Sequence, residues 1–165
     1  MNIFVSDNSP TISAISLDDK RVVKMILETA QMLSTAINEA GGTAPYKSTH
    51  KNHPCNVWAR QSKKNFVWLL KHGYALSEEY TKRFDKVHKC ASVLSLIDNE
   101  CLVEILPDGP LTPFANCAAH QGKGFNFKHI KEVTEAYRQY LNARWVTDVR
   151  KPVWTNREKP KWANI

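Results

Sequence analysis

The sequence predicts an all-α fold, a compact single-domain bundle of about four to five helices. Apolar residues recur at helical spacing in several segments, and no stretch of any length shows the alternation that is typical of a strand. The chain has 165 residues, of which 42% are hydrophobic, so it can bury one core. An irregular segment at 98–126 and an extended C-terminal tail at about 150–165 lie outside the helices. We therefore predict one domain over residues 1–165.

The clearest helix is predicted at about 16–40. Ser16 followed by Asp19 has the spacing of a capping box, although Glu or Gln is preferred at the second position. Gly41 and Gly42 predict its end. Apolar and small residues at helical spacing form its predicted core face: Val22, Ile26, Thr29, Ala30, Leu33 and Ile37.

Three further helical stretches follow. Pro54 fits the first turn of a helix, where its missing N–H costs nothing, and Gly73 is a possible interruption later in the same stretch. Helical spacing then extends to Val87. A last long helix is predicted at about 127–146, and the segment 98–126 before it is punctuated by Pro and Gly residues.

The net charge is strongly basic and predicts a nucleic-acid partner. Lys and Arg number 23 against 16 Asp and Glu, which gives a net charge of +7. An excess of this size favours nucleic acid through counterion release. A basic protein without such a partner is the alternative.

The same composition bears on location. The apolar runs are far shorter than the roughly 20 residues that a membrane-spanning helix needs, and no basic region precedes a long apolar stretch at the N-terminus, so no secretory signal is expected. Cys55, Cys90, Cys101 and Cys117 have no CxxC pairing, which favours reduced thiols in a cytoplasm. No protein partner is predicted.

A polar stripe runs along the helix predicted at 16–40. At about 100° per residue, Arg21, Lys24, Glu28 and Thr35 share a face opposite the core face. Lys24 lies one turn before Glu28, so a cation stands beside this carboxylate. From spacing alone, a solvated helix face with ion pairs is the simpler explanation.

The run from Asp19 to Glu28 resembles the first-helix motif of the phage pyrimidine-dimer DNA glycosylase family, endonuclease V. That motif has Asp, any residue, His, an aliphatic residue and, seven positions after the His, the catalytic Glu. Asp19, Val22 and Glu28 match, and Arg21 stands in the place of a DNA-contacting His. The basic, Pro- and aromatic-containing segment 150–154 is similar to the family's C-terminal tail.

A second resemblance is closer. Segments 19–28, 50–54 and 79–89 look like those of a group of phage proteins that carry Asp-Lys-His-Val-Val-Lys…Glu, His-Lys-Asn-His-Pro and Glu-Tyr…Lys-x-His-Lys. This resemblance implies a phage protein in a bacterial host, and it names a sequence group rather than a reaction.

The first resemblance implies double-stranded DNA as the partner, and glycosylase and AP-lyase chemistry with Glu28 as the catalytic carboxylate. In the family an α-amine attacks the sugar carbon that bears the base and gives an imine, while the Glu handles the sugar and its protons. That amine belongs to residue 2 after the initiator Met is removed. Here residue 2 is Asn2, a larger residue after which Met is less readily removed. Lys24, one turn from Glu28, is the other candidate nucleophile.

Contacts to nucleic acid are predicted on three segments, in addition to Arg21. The loop at 50–54 leads into a helix N-terminus, where a phosphate is favoured, and segment 82–89 interleaves cations with apolar residues. A tail Trp among cations could stack on a base. The alternatives are a loop that only caps the helix, a solvated basic face and a Trp that ties the tail to the body. The predicted contacts are Arg21, His50, Asn52, His53, Lys82, Arg83, Lys86, His88 and Trp154.

No metal and no cofactor are predicted. His50, His53 and Cys55 form one set of possible ligands, and His88 and Cys90 form another. Neither spacing matches a common zinc module, and the adjacent lysines would oppose a cation.

The favoured prediction is therefore a DNA-base-directed enzyme, a hydrolase and lyase of the glycosylase type that uses Glu28 on a basic surface. One alternative is a phage transferase that hypermodifies thymine or another base in DNA. The other is a DNA- or nucleotide-binding module without chemistry, which the departures at Arg21 and Asn2 keep open.

Overall fold

Six helices dominate the computed structural model of this chain, which describes residues 1–165. They span Pro10–Ile15 (α1), Asp19–Glu39 (α2), Pro54–Arg60 (α3), Lys63–Phe84 (α4), Ala91–Asn99 (α5) and Val133–Thr147 (α6). Two-residue strands, Ala119–His120 (β1) and Phe125–Asn126 (β2), form the only sheet, an antiparallel pair. The predicted all-α class is confirmed, with one short helix more than the predicted range. None of the helices has the length and apolar character needed to cross a membrane.

The pair α2 and α4 forms the centre of the core. α1 packs on α4, and α3 packs on both α2 and α4. Gly73 lies inside α4 and does not interrupt it, contrary to the prediction. A Cβ atom at this position would lie 2.9 Å from Thr29 Cγ2 and 3.2 Å from the Leu94 side chain. The glycine therefore allows close approach between helices rather than ending one.

α2 begins at Asp19, three residues later than predicted, and the predicted capping box is wrong. The Ser16 hydroxyl donates to Ile12 O at the end of α1. Asp18 occupies the N-cap position but makes no capping hydrogen bond, because its carboxylate accepts from Arg21 Nη1 at 2.7 Å and from Trp145 Nε1 at 2.8 Å. A tertiary network has replaced the local cap.

α3 begins at Pro54, as predicted. Its N-cap is His53, whose Nδ1 accepts the Cys55 N–H at 3.2 Å. α4 then begins after Ser62, whose hydroxyl accepts the Asn65 N–H at 3.1 Å. Two capped helices therefore stand where the apolar pattern showed one stretch.

Two predicted helix boundaries are wrong. α4 ends at Phe84, and Asp85 adopts a left-handed conformation with φ of 52°, so Val87 lies in a loop instead of a helix. α6 begins at Val133 rather than near 127, because the Glu132 carboxylate accepts the Thr134 N–H and caps the helix there.

The extended tail packs against the body. Trp154 Nε1 donates to Ser16 O at 3.1 Å, and Trp145 of α6 lies between Trp154, edge to face, and Trp162, stacked at 5.4 Å. Thr155 donates to the Asp19 carboxylate at the start of α2. The tail thus stabilises the first turn of the helix that carries Glu28.

Candidate functional site at the N-terminus and Glu28

Glu28 lies in the middle of α2, is 8% exposed, and faces three nitrogen atoms. Its Oε2 accepts the backbone N–H of Asn2 at 2.9 Å and lies 3.6 Å from the α-amine of Met1. Its Oε1 lies 3.1 Å from Lys24 Nζ. The solvated ion pair expected from spacing alone therefore describes only the Lys24 side, because the other oxygen is turned into the N-terminal segment.

The side chain of Asn2 holds that segment in place. Its Oδ1 accepts the backbone N–H groups of Ile3 and Phe4 at 2.8 and 3.2 Å. It also accepts the Tyr137 hydroxyl of α6 at 2.7 Å. Phe4 has a φ of 59°, so the chain turns sharply after these contacts. The N-terminus is therefore directed at Glu28 by hydrogen bonds rather than by apolar packing alone.

The polar loop before α3 lies against the same side of α2. The Thr49 N–H donates to Thr35 Oγ1 at 3.1 Å, and Asn56 Nδ2 donates to the carbonyls of Thr49 and His50 at 3.0 and 2.9 Å. Burial lowers the pKa of His53, and the positive charges of the N-terminus and His50 lower it further, whereas Glu28 acts in the opposite direction. His50 and Glu28 are thus close enough to His53 for their charges to affect its pKa.

Two cysteines adjoin this group. Cys55 Sγ donates to Cys117 Sγ at 3.9 Å. This hydrogen bond lowers the pKa of Cys117 to about 7 against the effect of burial, and the charge of Lys128 contributes in the same direction. The same bond and burial raise the pKa of Cys55. Cys117 is therefore the more acidic thiol of the pair.

A cavity of about 720 Å³ opens beside α2. We name it the lysine-rimmed cavity. It is lined by Val23, Lys24, Leu27, Tyr46, Tyr80, Lys86, Val87, His88, Lys89 and Cys90. Since Lys24 also contacts Glu28, the cavity and the carboxylate share one wall. Aromatic walls with a cationic rim suit a planar ring attached to a phosphate backbone.

Arg21 and Arg83, two predicted DNA contacts, are instead buried in ion pairs. Arg21 binds Asp18 and Asp148 at 2.7 and 2.9 Å and is 6% exposed. Arg83 has a fully buried side chain that binds Glu79 and Asp19. Their guanidinium groups are occupied by carboxylates of the same chain, so the structure removes both from a DNA surface.

The remaining residues predicted to contact DNA differ in their exposure. Lys82, Lys86, His50 and Asn52 are exposed, and His88 is half-buried on the rim of the lysine-rimmed cavity. The Trp154 indole is used in the tail contacts described above. The predicted contacts from the loop thus remain accessible, together with Lys82, Lys86 and His88, whereas Arg21 and Arg83 do not.

Three residues of the site were not predicted from the sequence to belong to it. Tyr137 fitted the apolar face of the last helix, and Cys117 and Lys128 lie in and just after the irregular segment. Their only sequence signal is residue type, because contacts across 135 positions, such as Tyr137 with Asn2, depend on the tertiary fold.

The fold and the site define a basic helical protein whose N-terminus lies against a carboxylate on its first long helix, beside an accessible cationic cavity. A family model described as pyrimidine dimer DNA glycosylase matches residues 1–92, which is more than half of the 165 residues. The chain belongs to this family, and the family implies DNA as the substrate. The resemblance noted from the motif is thereby confirmed, while the narrower phage group stays a prediction. No curated protein and no solved structure matches the chain.

Proposed function

We propose that the protein is a DNA glycosylase with AP-lyase activity, in which an amine beside Glu28 attacks the sugar. The observation that carries this proposal is the contact of Glu28 Oε2 with the backbone nitrogen of Asn2 at 2.9 Å and with the Met1 amine at 3.6 Å. An amine nucleophile needs a neighbouring group that accepts and returns protons. Glu28 is in contact with both nitrogen atoms that can serve as the α-amine.

The two nitrogen atoms correspond to two forms of the chain. In a chain that begins at Asn2, the nitrogen now bonded to Glu28 becomes a primary amine without having to move. In a chain that keeps Met1, the amine stands farther from the carboxylate, and the Met1 side chain, 3% exposed, fills the adjoining space. We therefore propose that the form beginning at Asn2 is the active one.

The reaction follows from this placement. The amine attacks the sugar carbon that bears the base, and the glycosidic bond breaks with its electron pair going to the base, which takes up a proton. The bond between that carbon and the ring oxygen then breaks, the ring oxygen takes up a proton, and an imine joins enzyme and sugar. Glu28 accepts the proton that the amine loses. Loss of a proton from the sugar carbon next to the imine and departure of the 3′ phosphate by β-elimination then cleave the strand, and water hydrolyses the imine to release the enzyme. Lys24, whose Nζ lies 3.1 Å from Glu28 Oε1, is the competing nucleophile.

The DNA surface in this proposal consists of exposed cations around the lysine-rimmed cavity and the loop before α3. Lys24, Lys82, Lys86 and Lys89 are all exposed, and His50 and Glu28 both lie close to His53. These cations would neutralise phosphates on a duplex whose target nucleotide turns toward the cavity.

Borohydride reduction tests the proposal, because it converts an imine into a stable covalent bond. A duplex that contains a pyrimidine dimer or an abasic site should be trapped on the protein, and peptide mapping should find the sugar on Asn2. Glu28→Gln should lower the trapping rate by about 10²–10⁴-fold. Glu39→Gln, which changes an exposed glutamate on the same helix, should not.

Other outcomes would favour other functions. Trapping on Lys24 would retain the reaction but move the nucleophile. Binding without trapping or strand cleavage, unaffected by Glu28→Gln, would indicate a DNA-binding module. A new modified nucleoside formed with an amine donor would indicate a base-modifying transferase.

A further inference from the structure

His53, Cys55 and Cys117 bring one imidazole nitrogen and two sulfur atoms together beside the N-terminus. The three ligand atoms lie within 4.8 Å of one another, and the two sulfur atoms are 3.9 Å apart. In a tetrahedral zinc site with Zn–S bonds of about 2.3 Å, two sulfur ligands are about 3.8 Å apart. The sulfur pair therefore already has the spacing of two ligands on one ion.

We propose that these three side chains bind a thiophilic divalent cation of the zinc class, with the fourth coordination position open. Two thiolates and a neutral imidazole are a ligand set that selects zinc or a similar ion over magnesium or calcium. Three protein ligands, rather than four, are typical of sites that keep one position for water or substrate.

The charges of the neighbourhood are compatible with a cation. Lys128 and the N-terminus place positive charge near Cys117, which would repel an ion held by neutral ligands. Two thiolates carry a charge of −2, however, and this cancels the charge of the ion, so the occupied site is neutral overall. Lys51, two residues before His53 in the sequence, is exposed, and its Nζ lies 3.7 Å from the Glu39 carboxylate, so its charge faces that carboxylate.

The His53 imidazole can become a ligand of the ion with little rearrangement. The lone pair of the neutral His53 ring lies on Nδ1, which accepts the Cys55 N–H at 3.2 Å. This distance is at the long end of the range for an N–H donor, so a metal ion would replace a weak hydrogen bond. His53 and Cys55 are two residues apart at the start of α3, which keeps both ligands on one rigid turn.

The third ligand connects the site to the N-terminal segment. The backbone N–H of Cys117 donates to the Tyr137 hydroxyl at 3.1 Å, and that hydroxyl donates to Asn2 Oδ1. A bound ion would therefore join α3 to the irregular segment and, through Tyr137, fix the position of Asn2. Cys117 lies outside the residues 1–92 that match the family, so family membership does not supply this site.

Cobalt binding tests the inference independently of any reaction on DNA. The protein is stripped with a chelator, its thiols are verified as reduced, and Co²⁺ is added. We expect one ion per chain, a thiolate-to-cobalt charge-transfer band and the absorption of a tetrahedral ion, all displaced by Zn²⁺. Cys55→Ser and Cys117→Ser should each weaken cobalt binding by more than about 100-fold, the upper range for changes outside the ligand set. Cys101→Ser, at an exposed free cysteine, is the matched control.

A measurement on the unaltered chain covers the case in which a variant fails to fold. Bound Zn²⁺ should protect Cys55 and Cys117, but not Cys101, from alkylation. Absence of the charge-transfer band with reduced thiols would overturn the inference. So would recovery of a Cys55–Cys117 disulfide, seen as a loss of two hydrogens by mass, when the protein is kept without reductant in the presence of Zn²⁺.

Discussion

Substitutions at Arg83 and at its neighbour Lys82 should have different effects. The sequence predicts that both residues contact DNA, but the structure buries Arg83 and leaves Lys82 exposed. The Arg83 side chain is fully buried. Its Nε donates to Glu79 at 2.8 Å, its Nη1 to Leu17 O at 2.9 Å and to Asp19 at 3.0 Å, and its Nη2 to Ile15 O at 3.1 Å. It therefore joins the end of α4 to the junction of α1 and α2.

Arg83→Met keeps much of the volume and removes all of these bonds. Glu79 retains Arg157 at 2.7 Å, but the carbonyls of Leu17 and Ile15 lose this donor, at about 1–3 kcal/mol for each buried group left unpaired. Removal of one partner from a buried ion pair costs about 3–5 kcal/mol. We expect Arg83→Met to lower the free energy of unfolding by about 3–5 kcal/mol. This loss corresponds to a fall of roughly 6–20 °C in Tm for a protein of this size.

Urea and thermal unfolding measure the effect, and DNA titrations at several salt concentrations provide the comparison. Lys82→Ala should change stability by no more than about 0.5 kcal/mol. If Lys82 contacts a phosphate, its removal should reduce the slope of log affinity against log salt by about 0.9. The reasoning is refuted if Arg83→Met is as stable as the unaltered protein and the salt slope falls for this variant instead.

Three further predictions concern the core and the site. Burial lowers the pKa of His72 to about 4 from its usual 6.5. The stability that depends on the neutral ring is therefore complete above pH 6.5, and roughly 3 kcal/mol of the free energy of unfolding should be lost as the pH falls to 4. Urea titrations at several pH values should find a smaller loss in His72→Gln. Gly73→Ala should destabilise the protein, because overpacking against Thr29 costs about 1–3 kcal/mol, whereas the gain in helix propensity is only about 1 kcal/mol. An unchanged urea midpoint would contradict this prediction. Tyr137→Phe should leave the protein folded by circular dichroism yet slow borohydride trapping, because Asn2 loses the hydroxyl that holds it; equal trapping rates would show that this bond does not position the terminus.

Local patterns allowed the helical class to be predicted from the sequence, together with the start of α3 at Pro54. These features depend on residues within one or two turns, where periodicity and the special geometry of proline act directly. The start of α2 could not be found in this way. Ser16 has the right spacing for a cap, but its hydroxyl is used by α1, and Asp18 is used by Trp145 from 127 positions away.

The candidate site shows the same division. Glu28 and Lys24 lie on one helix, so their proximity followed from a four-residue spacing. Cys117 reaches Cys55 across 62 positions, and a segment rich in Pro and Gly gives no periodicity from which its path could be inferred. Arg21 and Arg83 were misplaced for a related reason. A cation on a helix has the same pattern whether it faces solvent or a buried carboxylate, and only the tertiary fold decides between them.

These buried ion pairs also explain why Glu28 faces the N-terminus. Asp18 and Arg21 tie the first turn of α2 to Asp148 at the C-cap of α6, and Asp19 ties the same turn to Arg83. With the first turn held from two sides, α2 cannot rotate about its axis, and a residue nine or ten positions later has a set direction. The cations that seemed suited to phosphate contact are thus better understood as positioning residues that act through the helix. Affinity for DNA would then belong to the exposed lysines, whereas Arg21 would influence the reaction only through the orientation of Glu28.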